Sequence, residues 1–187
     1  MPINFPLVQI THPYITPNII SKTVVNKLNI EFDEKVYDPA CGIGTIFKDI
    51  INHIGNLHYN LNNLYGNDID SVAVDLAKID IGSQNIKKIN SLNNDLSYKN
   101  KFDVVISDLP YGLKKNNKSI TSLFVEHMLD SLKESGRGCV IGNKKSLTEI
   151  KEIFGDKIEH ITDFGRINNF EYVAVYFRKN KRFEIEI

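Results

Sequence analysis

Two short strings in this 187-residue chain combine residue types that can do chemistry together. Asp108-Leu109-Pro110-Tyr111-Gly112 follows directly on Phe102 to Ser107, an apolar, β-branched run that reads as a central parallel strand. An acidic side chain, a backbone carbonyl, a rigid turn and a flat ring in succession make a seat for a planar amine. The lone pair of an aromatic amine is delocalised into its ring, so such an amine is a poor nucleophile. The Asp108 carboxylate and the Leu109 carbonyl can each accept one N–H and draw the nitrogen toward a tetrahedral, nucleophilic form. Pro110 would stiffen the turn and Tyr111 would stack on the substrate. The same five residues would also serve as an ordinary turn.

The second string, Asp38-Pro39-Ala40-Cys41-Gly42-Ile43-Gly44, lies between a short extended run at Val36-Tyr37 and a helix from Thr45 to Ile54. Phe47, Ile50, Ile51 and Ile54 give that helix one apolar stripe. A glycine turn between a buried strand and a helix start is where open α/β sheets hold ligands. A dinucleotide fingerprint needs a third glycine where this chain has Phe47. A fixed carboxylate at Asp38 would repel a pyrophosphate but attract an ammonium or a sulfonium.

These residues resemble the Asp-Pro-Ala-Cys-Gly-x-Gly and Asn/Asp-Pro-Pro-Tyr motifs of amino-methylating adenine methyltransferases, especially the modification subunits of type I restriction systems. The resemblance runs from about Thr16 to Lys179. It implies S-adenosyl-L-methionine as cofactor, bound by Thr16, Asp38, Ala40, Gly42, Gly44, Asp68, Ile69 and Asp95. Within that set Thr16, before the first helix, would lie at the methionine end. Asp68 would accept from the ribose hydroxyls, Ile69 would pack on the adenine, and Asp95 would accept from its amino group or else sit in a solvated loop. Asp70 is better placed to cap the next helix. Asp108, Leu109, Pro110 and Tyr111 would form the catalytic turn, with Tyr111, Lys114, Lys144 and Phe170 on the substrate side. Leu109 replaces the first proline of the motif, and proline at this position is expected to maintain or raise activity.

The elements needed to position these groups can be read in order. Thr16-Pro17 reads as the cap and first residue of a helix with Ile20, Val24 and Leu28 on its buried face. Asn62 to Asp68 is a strand, Ser71 to Ile81 a helix and Lys87 to Asn90 a strand. Lys114 to Lys118 reads as a basic loop, Ser119 to Leu132 as a helix and Gly136 to Gly142 as a strand. Leu147 to Phe154 is a helix, and Ile158 to Asp163 and Tyr172 to Phe177 are two antiparallel strands. Phe164 and Phe170 would lie between that pair, as core packing or as a platform for an extruded base. The resulting fold class is a doubly wound, Rossmann-like α/β sheet of seven mostly parallel strands ending in an antiparallel hairpin. Residues 1–15 read as an arm, 16–180 as the methyltransferase domain and 181–187 as a tail.

Composition narrows the function further. At 42% hydrophobic and 25% charged, the chain suits one domain with a substantial core. It has no apolar run of membrane-spanning length and no basic-then-apolar leader, which points to the cytoplasm and away from membranes. Cys41 and Cys139 lack metal-ligand spacing, so no metal is expected and both read as small buried residues. Lys plus Arg (23) equals Asp plus Glu (23), so phosphate contacts must come from local clusters such as Lys114 and Lys144 or from a separate target-recognition subunit. The leading expectation is methylation of adenine N-6 in DNA, with DNA ahead of RNA. A tRNA or rRNA guanine amino-methyltransferase, a protein glutamine methyltransferase and a non-catalytic cofactor-binding relative are the alternatives.

Overall fold

The computed structural model describes residues 15–55, 59–93, 96–110, 114–115 and 118–180, with side chains at all of these except 96, 114 and 115. The chain forms helices α1 (Asn18–Leu28), α2 (Thr45–Ile54), α3 (Ser71–Ile81), α4 (Ile120–Ser131) and α5 (Leu147–Phe154). Its strands are β1 (Val36–Asp38), β2 (Leu64–Asp68), β3 (Ile86–Lys88), β4 (Phe102–Asp108), β5 (Lys114–Lys115), β6 (Lys118–Ser119), β7 (Leu132–Asn143), β8 (Ile158–Ile167) and β9 (Phe170–Arg178). Seven strands make one sheet in the order β3-β2-β1-β4-β7-β9-β8, as the sequence predicts in class and topology.

The first five strands of that order are parallel, and β9 runs antiparallel between β7 and β8. Helices α1, α2 and α3 cover one face through Ile20, Val24, Phe47, Ile50, Val74 and Ala77. Helices α4 and α5 cover the other through Phe124, Val125, Met128, Ile150 and Phe154. Strands β1, β4 and β7 are buried from both sides, which is why they read as apolar runs without alternation. The chain builds outward from β1 to β3 and then returns to place β4 on the other side of β1. That reversal opens a crevice at the carboxyl ends of β1 and β4, where doubly wound sheets bind ligands.

Local readings needed correction in three places. Thr16 does not cap α1: Pro17 occupies the cap position, its carbonyl takes the Ile20 amide at 2.8 Å, and the Thr16 side chain points elsewhere. The basic stretch at 114–118 is not simply a loop, because Lys114–Lys115 pairs with Lys118–Ser119 as a two-stranded ribbon. The final hairpin is longer than its apolar runs. Gly165 (φ 67°) sits at a register shift within β8, and Asn168-Asn169 (φ 47° and 71°) makes the tight turn. Phe164 and Phe170 therefore belong to the strands themselves and pack half-buried against the core.

Candidate active site

The strand ends bring three acidic residues together. Asp68 closes β2, Asp38 closes β1 and Asp108 closes β4, on three neighbouring strands. Asp38 is buried, and its Oδ1 accepts from the Ser107 hydroxyl at 2.6 Å and from the Ala40 amide at 2.9 Å. Burial is the largest influence on its carboxyl, which is pushed up to about 7 against the pull of those two bonds. The nearby Asp68 and Asp108 add to the rise. Such a group is poised to take up a positive charge.

The turn after β1 is shaped by its neighbours. Gly42 and Gly44 both have positive φ (51° and 80°), and no atom lies within 4 Å of where a Cβ on Gly42 would sit, so bare backbone faces open space there. Asp68 Oδ2 accepts from the Gly42 amide at 2.8 Å and Oδ1 from the Asp70 amide at 2.9 Å. Each carboxylate oxygen keeps a lone pair for ligand hydroxyls. Ile69 beside it is 60% exposed, in keeping with a residue reserved for a flat ligand face. Asp70 caps α3 by accepting from the Val72 amide at 2.9 Å, as its position predicts.

A buried network beneath the turn was not read from the sequence. The Tyr37 hydroxyl accepts from Asn67 Nδ2 at 3.0 Å, donates to Ser91 Oγ at 3.1 Å and lies 3.0 Å from His127 Nε2 on α4. Ser91 in turn donates to the Pro39 carbonyl at 2.7 Å. These bonds tie β1, β2, the segment after β3 and α4 to the Asp38-Pro39 corner. Asn67 Oδ1 has no partner among the described residues. The available signal was the placement of a tyrosine and an asparagine inside two short strands that border the glycine turn.

Asp108 Oδ2 accepts from the Thr16 hydroxyl at 2.9 Å, and burial pushes its carboxyl up to about 6. The Leu109 side chain is buried, its amide donates to the Ile141 carbonyl at 3.0 Å, and the Pro110 carbonyl accepts from Thr121 Oγ1 at 3.1 Å. The turn after β4 is thus held by β7 on one side and α4 on the other. Lys144 pairs with Asp163 at 2.7 Å and Phe170 packs beside Tyr172. Asp95, Tyr111 and the Lys114 side chain lie outside the described residues. A separate concavity of about 480 Å3 lies toward the opposite end of the parallel strands, lined by residues including Lys27, Glu34, Arg137, Glu159 and Arg178. Both of its guanidinium groups are already paired, with Glu34 and Glu159.

A sequence profile of the N-6 DNA Methylase family matches residues 11–158, which contain every one of these strand-end groups. The chain belongs to the N-6 DNA methylase family. Among curated relatives of the methylase fold, the type I restriction enzyme MjaVII methylase subunit of Methanocaldococcus jannaschii is 29% identical over 112 residues, covering 56% of this chain and 19% of that protein. The type II methyltransferase M.VspI of a Vibrio species is 26% identical over 117 residues, covering 59% of this chain and 28% of that protein. A crystal structure of a modification subunit of a putative type I restriction enzyme from Vibrio vulnificus superposes with a TM-score of 0.73 at 17% identity, over 92% of this chain and 46% of the other. The chain thus spans less than a third of the length of these two curated relatives. S-adenosyl-L-methionine is the cofactor of this class, and the buried Asp38, the open backbone at Gly42 and the Asp68 carboxylate fit its cationic, flexible and ribose portions.

Proposed function

We propose that this chain transfers a methyl group from S-adenosyl-L-methionine to the exocyclic amino group of adenine, at N-6, in DNA. The observation that carries the reading is the placement of Asp108 at the end of β4, next to Asp38 at the end of β1, so that an amine acceptor and a cation site share one crevice. Membership of the N-6 DNA methylase family supports adenine in DNA as the target.

When bound, the cofactor supplies an electrophilic methyl on a sulfonium centre, which passes to the amine nitrogen as the carbon–sulfur bond breaks and a neutral thioether leaves. Asp38 would hold the cationic end, and Asp68 would accept from the ribose hydroxyls. Ala40 and Gly44 would bring backbone to the cofactor beside Gly42, and Ile69 would cover one face of the adenine. At the amine, the Asp108 carboxylate and the Leu109 carbonyl accept one N–H each and concentrate the lone pair on nitrogen. With its carboxyl near 6, Asp108 Oδ1 is basic enough to hold the proton released when the nitrogen becomes positive. Tyr111 is assigned to stacking on the base. Asp95 is assigned to the cofactor's amino group, and Phe170 to the rim that receives the extruded base.

Recognition is assigned to a separate subunit. Lys144 is neutralised by Asp163 and Lys118 lies 3.8 Å from Glu126, which leaves Lys145 as the described rim lysine outside these two ion pairs. Extruding a base from a duplex costs a few kcal/mol, which a domain with so few phosphate contacts does not offset well. The chain is expected to work in the cytoplasm. Among the described residues no helix is long and apolar enough to cross a membrane, and no cluster of His, Cys, Asp or Glu is arranged to hold a metal.

The test is incubation of the purified chain with methyl-labelled cofactor and DNA, RNA or protein. N-6-methyladenine in DNA is the expected product, and label in RNA or protein alone would overturn the assignment. Asp108→Ala should abolish transfer while cofactor binding persists.

A further inference from the structure

We propose that Thr16 is a positioning residue for the amine acceptor, its hydroxyl occupying Oδ2 of Asp108 so that Oδ1 is the oxygen presented to the target nitrogen. The inference rests on the reading of Asp108 as that acceptor. It gives Thr16 a contact on the substrate side of the crevice, besides the place at the methionine end that the family resemblance implies.

Three observations carry it. The Thr16 hydroxyl is 2.9 Å from Asp108 Oδ2, in a part-buried contact in which Thr16 itself is only 6% exposed. A hydroxyl has a single proton to donate, and here it is directed at the carboxylate. The same oxygen keeps acceptor capacity, which suits a contact with a cofactor ammonium. Helix α1 also has no need of the side chain, since Pro17 provides the cap and takes the amides of Ile20 and Ser21 at 2.8 and 3.1 Å.

The helix that presents Thr16 is fixed at several points. At its far end Arg137 Nε donates to the Leu28 carbonyl at 2.8 Å and Nη2 to the Asn29 carbonyl at 2.7 Å, while Glu34 grips the same guanidinium at 2.6 and 2.8 Å. Midway, the buried Ser21 hydroxyl donates to Asp49 on α2, the helix that starts in the glycine turn. Thr16 is therefore delivered to Asp108 by a rigid element, and the geometry at Oδ2 is set by the fold.

Among the described residues, the other titratable groups coupled to Asp108 are Asp38 from β1 and Cys139 from β7, and neither donates a hydrogen bond to it. Thr16 is thus the described group that favours the ionised form, against burial, which opposes it. Removing the hydroxyl should drive the carboxyl above about 6.

The experiment compares wild type with Thr16→Val, which keeps the branched shape, and Thr16→Ser, which keeps the hydroxyl. Asp108 is followed by carbon-13 carboxyl titration, S-adenosylhomocysteine binding by calorimetry, and kcat across pH. In T16V the Asp108 midpoint should rise, the acid limb of kcat should move with it, and kcat near neutrality should fall by roughly tenfold or more. Affinity for S-adenosylhomocysteine should stay within about threefold, because only a hydrogen bond of modest net worth is at stake on that side. T16S should restore both midpoint and rate. An unchanged midpoint in T16V, or a large loss of affinity with kcat retained at saturation, would overturn the proposal. If wild type methylates nothing, the functional reading fails by itself, and the carboxyl titration still decides whether Thr16 controls Asp108.

Discussion

Asp68 and Gly42 are joined at 2.8 Å, a carboxylate on the end of β2 holding the amide of a glycine in the turn after β1. One side chain thereby shapes the turn, and the same side chain is the one proposed to accept from the ribose. Asp68→Ala should weaken S-adenosylhomocysteine binding by at least about tenfold, since charge-assisted bonds contribute ~1.5 kcal/mol or more each. Calorimetry would check this, and an affinity within about twofold of wild type would remove Asp68 from the cofactor site.

Two glycines near that turn should separate stability from binding. A Cβ on Gly66 would lie 2.8 Å from both Cys41 Sγ and Phe47 Cε2, so Gly66→Ala overpacks the floor of the turn and should destabilise by ~1–3 kcal/mol. A Cβ on Gly42 meets nothing, and Gly42→Ala should cost only ~1 kcal/mol of left-handed backbone strain while sharply reducing cofactor affinity. Denaturant unfolding and calorimetry on both variants give the comparison.

The pH dependence follows from Asp38 and Asp108, whose carboxyls titrate at about 7 and about 6 in the fold. Between the ordinary carboxylate range and those values the folded state holds protons that the unfolded state has lost. Stability of the unliganded protein should therefore fall as the pH rises through that window. A cationic ligand reverses the preference at Asp38. Affinity for S-adenosylhomocysteine, whose ammonium remains, should rise as the pH approaches about 7 and then level off, with proton release below that point. Asp38→Asn should flatten the profile.

Leu109 shows how the structure revises an expectation drawn from motif alone. Proline there matches the family string, yet in this chain the Leu109 amide donates to the Ile141 carbonyl and the side chain is 2% exposed. Leu109→Pro removes a bond to β7 and part of a buried side chain, so a loss of ~2–4 kcal/mol and reduced activity are expected. Thermal unfolding and the methyl-transfer assay would show it.

Tyr37→Phe should cost ~1–3 kcal/mol, because it strips the shared partner from Asn67, Ser91 and His127 in a buried network. Denaturant titration measures the loss. Weaker cofactor binding should accompany it, since Ser91 also holds the Pro39 carbonyl.

The strand-end carboxylates were legible because Asp38, Asp68 and Asp108 each close a stretch that reads as a strand and precede a turn, and a parallel sheet brings such positions to one edge. The Thr16 contact with Asp108 was not, because it spans 92 residues and a Thr-Pro pair satisfies a local capping rule that the fold does not use. The Tyr37 network was hidden for a related reason, since hydrogen bonds between buried side chains of four separate segments leave no spacing signal. The final hairpin was read short because Gly165, Asn168 and Asn169 look like loop residues, whereas the chain uses them for a register shift and a tight turn within continuous pairing.

The position of β9 governs how the sheet can be completed during synthesis. Residues 170–178 occupy an interior place, between β7 and β8, although they are made after both. Until they emerge, the β7 edge carrying Cys139, Val140 and Ile141 has no neighbour, and β8 has nothing to pair with. A nascent chain that stops short of residue 170 therefore lacks its keystone and presents two unmatched strands, each free to join a second copy. The last described strand is therefore the one that joins β7 and β8 into a single sheet, two places away from the strand whose end carries Asp108.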